Sequence, residues 1–216
     1  MLEIVTLPLG PVMTNAYLVA DSDTKEAAVI DPAWDGHIIL AEAKRRGWDV
    51  KHIWITHAHF DHIGGTGAVV KGLVDPPEVA LHPADLPLWQ AQGGAQFFGY
   101  RLETTVEPNM KLSHGQILKL ESQTAEVRHA PGHTPGHVMF YFKEAKVLFS
   151  GDVIFQGSVG RTDLPGGDWE TLLTSIREQV LTLPDEVRIL AGHMGETTVG
   201  EERRGNPFLD NLNLQE

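Results

Sequence analysis

Short apolar runs broken by turn residues open the chain. Glu3–Leu7, Met13–Val19 and Ala27–Ile30 are separated by Gly10-Pro11 and by Asp21-Ser22-Asp23. Runs of that length with turn punctuation predict a β-meander, closed by Asp31-Pro32. The period then changes. Ile38–Arg46 predicts a helix with Ile38, Ile39 and Ala43 on one face, Lys44-Arg45-Arg46 in the last turn and Gly47 as its stop. Val50–Thr56 predicts a buried strand that runs straight into His57-Ala58-His59-Phe60-Asp61-His62. After Gly64-Gly65, Thr66–Leu73 reads as a short helix, Glu78–His82 as a strand and Pro83–Gln90 as the start of a helix. The stretch 93–109 shows no period and is expected to be a long loop, functional or mobile.

The second half repeats the pattern. Gln116–Leu120, Ala125–His129, Val138–Phe142 and Lys146–Phe149 predict strands. Asp168–Leu181 predicts an amphipathic helix with Leu172, Leu173, Ile176, Val180 and Leu181 apolar, and Val187–Ala191 a last strand. Each half runs strands, then a helix, then a strand. Two sheets packed face to face with helices outside bury all these apolar faces. No linker-like stretch interrupts the pattern, so one domain over residues 1–216 is expected.

Composition narrows the function. Hydrophobic residues are 42% and charged residues 21% of the 216, as in a globular protein. The net charge of −12 argues against a nucleic-acid partner, because such affinity comes from Lys and Arg on phosphates. With no cysteine there is no disulfide, thiolate zinc site or cysteine nucleophile. The N-terminus does not read as a signal peptide, and no uncharged apolar run is long enough to span a bilayer. A soluble, cytoplasmic protein without a membrane partner is expected.

The candidate chemistry is metal binding. Histidine and carboxylate suit zinc and related divalent ions, and a catalytic site keeps a position open for water. His57 and His59 at a strand end can hold one ion, and Asp61-His62 can serve a second. Three imidazoles and a carboxylate crowded into six residues leave polar groups short of partners unless something binds there. Further candidates also follow apolar strands or turns: His133 in Pro131-Gly132-His133, Asp152 in Ser150-Gly151-Asp152, and His193 after Ile189-Leu190-Ala191. A glycine precedes each and permits close approach of backbone to ligand.

This order of residues resembles the metallo-β-lactamase superfamily over nearly the whole chain. The resemblance implies an α/β fold, the four-layer αββα sandwich, with metals at one edge. By motif, His57, His59 and His133 map to ligands of a first metal and Asp61, His62 and His193 to ligands of a second, with Asp152 bridging. The stretch from Gly151 to Asp163 and the ending from Gly192 to Arg203 are similar to short bacterial members of the glyoxalase II-like branch. That branch implies hydrolysis of a small-molecule thioester such as S-lactoylglutathione. The implied nucleophile is a hydroxide held between two ions, oriented by Asp61 as the catalytic residue. Zinc is the expected ion; iron or manganese suits the same ligands. Three departures stand out, the first bearing on local loop shape and the other two on the substrate. Met194-Gly195 stands where short members carry Gly-Pro, and the family's tyrosine after the last ligand has no counterpart. Only residues 194–216 follow His193, where long members add a helical region that binds glutathione.

Two other activities fit the same ligands. A persulfide dioxygenase resembles this pattern but uses one iron on residues mapping to His57, His133 and Asp152. Lactone and ester hydrolases share the full set. A β-lactamase is disfavoured, because its commonest type carries cysteine where Asp152 stands. A metal-binding scaffold is the non-enzymatic reading. His37, His52, His114 and His129 read as surface or turn residues, His82 as structural, and His137 as the start of a strand. Arg161 and Asp163 are expected to pair and shape the loop beside Asp152, or Arg161 to meet substrate. Phe97, Phe98, Tyr100 and Arg101 either line a pocket or anchor their loop. Arg203-Arg204 reads as solvated.

Overall fold

Strand faces decide the layering. The computed structural model describes residues 1–102 and 106–210. Its first sheet runs, in hydrogen-bonded order, through β1 (Leu2–Leu9), β2 (Thr14–Asp21), β3 (Glu26–Ile30), β4 (Asp49–Trp54), β5 (Glu78–Leu81) and β6 (Met110–Lys111). The second contains β7 (Ile117–Leu120), β8 (Gln123–His129), β9 (Val138–Phe142), β10 (Val147–Gly151), β13 (Arg188–Ala191) and β14 (Thr197–Thr198), ordered β14-β13-β10-β9-β8-β7. A small hairpin, β11 (Ile154–Phe155) with β12 (Ser158–Val159), stands apart.

Successive side chains of a strand point to opposite faces. In β2 to β4, Val19, Ala28, Ile30 and Trp54 face the second sheet, where they meet Leu118, Val127, Phe140, Phe142 and Phe149. Their neighbours Leu18, Val29 and Ile53 face outward onto Ile39 and Ala43 of α1 (Gly36–Arg46) and Val69 of α3 (Thr66–Gly72). Met139, Tyr141, Leu148 and Ile189 face outward from the second sheet onto Leu172 of α5 (Trp169–Ser175) and onto Ile176 and Val180 beyond it. Helix, sheet, sheet and helix therefore form four layers. Burial on both faces is why the central strands read as continuous apolar runs.

Several expected elements differ in detail. The helix expected over 168–181 runs as α5 and then as a π-helical turn, Ile176–Val180. Asp168 caps it, its carboxylate accepting from Thr171 N–H. The stretch 83–90 splits into a 3₁₀ turn, Pro83–Asp85, and α4 (Leu86–Gln90). The long loop expected over 93–109 begins instead inside a helical segment, Gln92–Phe98, hidden in the sequence because Gly93 and Gly94 interrupt it with positive φ. The part of that loop at 103–105 lies outside the described residues. A terminal helix, α6 (Val199–Gly205), starts at a capping box of Thr198 and Glu201. Gly47 ends α1 in the left-handed region, as its position after three basic residues predicts. No described helix is long and apolar enough to cross a membrane.

The site is placed by strand ends. β4 ends at Trp54 and leads to His57, while the parallel pair β10 and β13 ends beside Asp152 and His193. β9 starts just after His133-Thr134-Pro135-Gly136-His137. A four-residue helix, α2 (Phe60–Ile63), turns Asp61 and His62 back toward the same edge.

Candidate metal centre

Two triads form at this edge. Ligand atoms of His57, His59 and His133 lie within 4.8 Å of one another, and so do those of Asp61, His62 and His193. Asp152 lies between them. Its Oδ1 is 3.3 Å from His62 Nε2, and its Oδ2 is 3.6 Å from His133 Nε2 and 3.5 Å from His193 Nε2. All seven residues singled out in the sequence are thus brought together.

The hydrogen bonds around the triads fix the imidazole tautomers. His133 Nδ1 lies 2.7 Å from the Arg161 carbonyl, which only accepts, so Nδ1 carries the proton and donates. His62 Nδ1 donates to Asp31 Oδ2 at 2.9 Å. The Thr56 hydroxyl donates to Asp31 Oδ2 at 2.6 Å, so it must accept from His57 Nδ1 at 3.0 Å. Each of these rings therefore turns its Nε2 inward. His57 Nε2, His62 Nε2 and Asp152 Oδ1 are buried and none makes a well-aligned hydrogen bond, although His62 Nε2 and Asp152 Oδ1 face each other at 3.3 Å. Buried polar atoms without a well-aligned hydrogen bond are costly, and three converging on one spot fit cations bound there. Asp31 also lies close enough to His57 and His62 to count as a ligand. Both its oxygens are already taken by Thr56 and His62, so it supports the centre from behind.

Electrostatics agree. Burial drives His57, His59 and His133 down, His59 to about 3, and their neighbouring imidazoles push further. Neutral imidazole is the form that ligates a metal. Burial opposes ionisation of Asp61, but His62 and His193 outweigh it and hold the carboxyl at about 2. Asp152 is held well below the usual carboxylate range, His62 outweighing burial. At His62 burial works against a proton, yet Asp152, Asp61 and Asp31 raise its pKa well above the ordinary value. Among the described residues no Lys or Arg side chain pairs with these three carboxylates. The centre is therefore arranged to hold positive charge.

Several supporting residues were missed in the sequence. Thr14 at the start of β2 donates its hydroxyl to Asp61 Oδ2 at 2.8 Å. Asn15 donates through Nδ2 to the carbonyls of Ala191 and Met194, at 3.0 and 3.1 Å, and so clamps the His193 turn. His137 belongs to neither triad. It is fully buried, packs on the His57 ring at 4.7 Å and accepts the Asp152 N–H on Nε2 at 3.0 Å. Its spacing from His133 was the one available signal. Gly192 is packed so tightly that a Cβ there would collide with Asp152 Oδ1 and His62.

A cavity of about 220 Å³ opens on the centre. His59, Asp61, His133, Asp152 and His193 form its floor, and Val12, Phe60, Phe98, Leu164 and Arg161 its walls. Phe98 lines the pocket and stacks on Phe60 at 5.0 Å, while Tyr100 anchors the segment against Trp34 and Phe60. Arg161 pairs with Asp163 through two contacts of 2.7 Å, as the sequence led us to expect, and also borders the cavity.

The profile described as the metallo-beta-lactamase superfamily matches residues 9–193. The chain belongs to that superfamily of metal-dependent hydrolases. It is 37% identical to hydroxyacylglutathione hydrolase GloC of Haemophilus influenzae, over 97% of this chain and 99% of that protein. The crystal structure of BLEG-1 B3 metallo-beta-lactamase matches with a TM-score of 0.90 and 39% identity, covering 97% of this chain and 100% of that one. The crystal structure of TTHA1623 in a di-iron-bound form matches with a TM-score of 0.86 and 40% identity, covering 95% and 100%.

Proposed function

We propose that this protein hydrolyses a small-molecule thioester at a centre of two divalent ions, with His57, His59 and His133 holding one ion and Asp61, His62 and His193 the other. Asp152 reaches both. The observation that carries this reading is the set of buried ligand atoms, none in a well-aligned hydrogen bond, converging between the two triads. The di-iron form of TTHA1623 supports a two-ion centre, and zinc remains our first expectation for the metal. Bound divalent ions supply Lewis acidity and lower the pKa of water from about 15.7 to roughly 7.

The chain's own residues do the rest. Asp61 borders the cavity, is ionised, and is fixed by the Thr14 hydroxyl. It takes the hydrogen bond of the attacking water and orients it. Val12, Phe60, Phe98 and Leu164 exclude bulk water from one side of the scissile bond. Among the described lining residues there is no Lys, Tyr or Cys to act as a general acid. A thiolate leaves without a proton, whereas an amine must be given one, which favours thioesters. The hydroxyacylglutathione hydrolase activity for which GloC is named makes S-lactoylglutathione the first substrate to try.

The similarity to BLEG-1 favours a second reading, opening of a β-lactam, despite the lack of cysteine. One preparation, loaded in turn with zinc, iron and manganese, should be tested on thioester, lactone, β-lactam and glutathione persulfide. Thioester cleavage above the other substrates supports the proposal. Oxygen uptake on persulfide with one iron per chain assigns a dioxygenase instead. Silence across the panel leaves a metal-binding scaffold.

A further inference from the structure

Asp85 belongs to neither triad, and the proposed chemistry does not use it. It ends the 3₁₀ turn that follows β5 and is fully buried. Its carboxylate accepts three hydrogen bonds. Oδ2 takes the Ala58 N–H at 2.9 Å and the Thr134 hydroxyl at 2.8 Å, and Oδ1 takes the Gly136 N–H at 2.6 Å.

The donors are telling. Ala58 lies between His57 and His59, and Thr134 follows His133 directly. One carboxylate thus ties together the two segments that supply the first triad, although His59 and His133 are 74 residues apart in sequence. The fit is close: a Cβ on Gly136 would fall 2.7 Å from Asp85 Oδ1. No cation is paired with Asp85 among the described residues. Burying a carboxylate on neutral donors alone is expensive, and a carboxylate that only filled space would be better replaced by an apolar side chain.

We propose that Asp85 is a positioning residue that sets the spacing of His57 and His59 against His133 and so tunes the metal affinity of the first triad. The proposal rests on reading that triad as a metal site. Asparagine does not replace it. Its amide group has one acceptor oxygen, and its NH₂ would face the N–H of Ala58 or Gly136.

The test is zinc titration of metal-free wild type, Asp85→Asn, Asp85→Ala and Thr134→Val, each with a thermal melt in chelator. Asp85→Asn should weaken one of the two zinc sites by about 10- to 100-fold, the range for lost support behind a ligand, and leave the other intact. The weakened site should be the one His59→Ala removes, and excess zinc should restore turnover. Thr134→Val, which deletes one of the three donors, should give a smaller loss at the same site. If Asp85→Ala does not fold, Asp85→Asn and Thr134→Val decide, since both keep the side-chain shape. Unchanged affinity at both sites in folded Asp85→Asn overturns the proposal. So does equal weakening of both sites with a lower melting temperature in chelator, the mark of a purely structural residue. Failure of wild type to bind zinc is a separate result, which removes the metal-centre reading and this proposal with it.

Discussion

His62 donates from Nδ1 to Asp31 across 2.9 Å, and its Nε2 on the other side of the ring is buried and faces Asp152 Oδ1 at 3.3 Å. Asp31 thereby decides which nitrogen of His62 faces the centre. Asp31→Ala should weaken the metal site of Asp61, His62 and His193 by about 10- to 100-fold. It should also strand the Thr56 N–H, at about 1–3 kcal/mol of stability. Zinc titration and denaturant melts measure the two effects; normal affinity in the variant would contradict the role given to Asp31.

Asp61→Ala should abolish thioester turnover. The variant loses a ligand and the oxygen that Thr14 holds in place. Thr14→Val keeps the carboxylate but loosens it, and should lower kcat more than it raises KM. Steady-state kinetics on the metal-loaded proteins tests both, and undiminished turnover by Asp61→Ala would remove it from the reaction.

Metal affinity should rise with pH. Burial disfavours protonation of His62 and His193, but Asp61 and Asp152 outweigh it, Asp31 assisting at His62, and both pKa values are raised. A histidine sheds its proton to ligate. Below the raised values protons compete with the metal, and above them the competition ends. Affinity should therefore still be climbing above the ordinary histidine pKa of 6.5, with proton release on binding. Calorimetry in two buffers of different ionisation enthalpy reads that release; none at pH 7 would count against these two ligands.

Gly192→Ala should disable the centre without touching a ligand. The new Cβ collides with Asp152 Oδ1 and with His62. The expected result is loss of bound metal in a protein that still folds. Retention of the full metal complement would show that Gly192 is not confined.

Chelation should lower the melting temperature. Metal at 100 times its Kd stabilises the native state by about 2.7 kcal/mol, which is roughly 5–10 °C for a chain of this size. Scanning calorimetry with and without chelator is the check, and coincident melts would argue that no metal is held.

The sandwich was legible because both faces of its central strands are buried. Val138–Phe142 and Ala27–Ile30 could hardly be anything but interior strands. The candidate ligands were legible because they are crowded and sit at strand ends. Their supports were not. Asp31 read as a strand stop beside Pro32, and its bond to His62 spans 31 residues. Asp85 drew no reading of its own inside the expected helix start Pro83–Gln90, since the three groups it binds are remote in sequence. His137 read as the start of a strand and stands one residue before β9, but its contact with the Asp152 backbone exists only once β9 and β10 pair. Propensity and periodicity report local structure; these roles come from contacts between segments. The hairpin of β11 and β12 and the helical turns at Gln92–Phe98 were too short or too glycine-rich to show a period.

The most direct test of the central claim is metal stoichiometry in active protein. Metal bound per chain should be counted in wild type, His59→Ala and His193→Ala from one preparation protocol, alongside thioester turnover. Two ions are expected in wild type, one in each variant, and turnover that requires both. A single ion that survives His193→Ala with activity intact would contradict it.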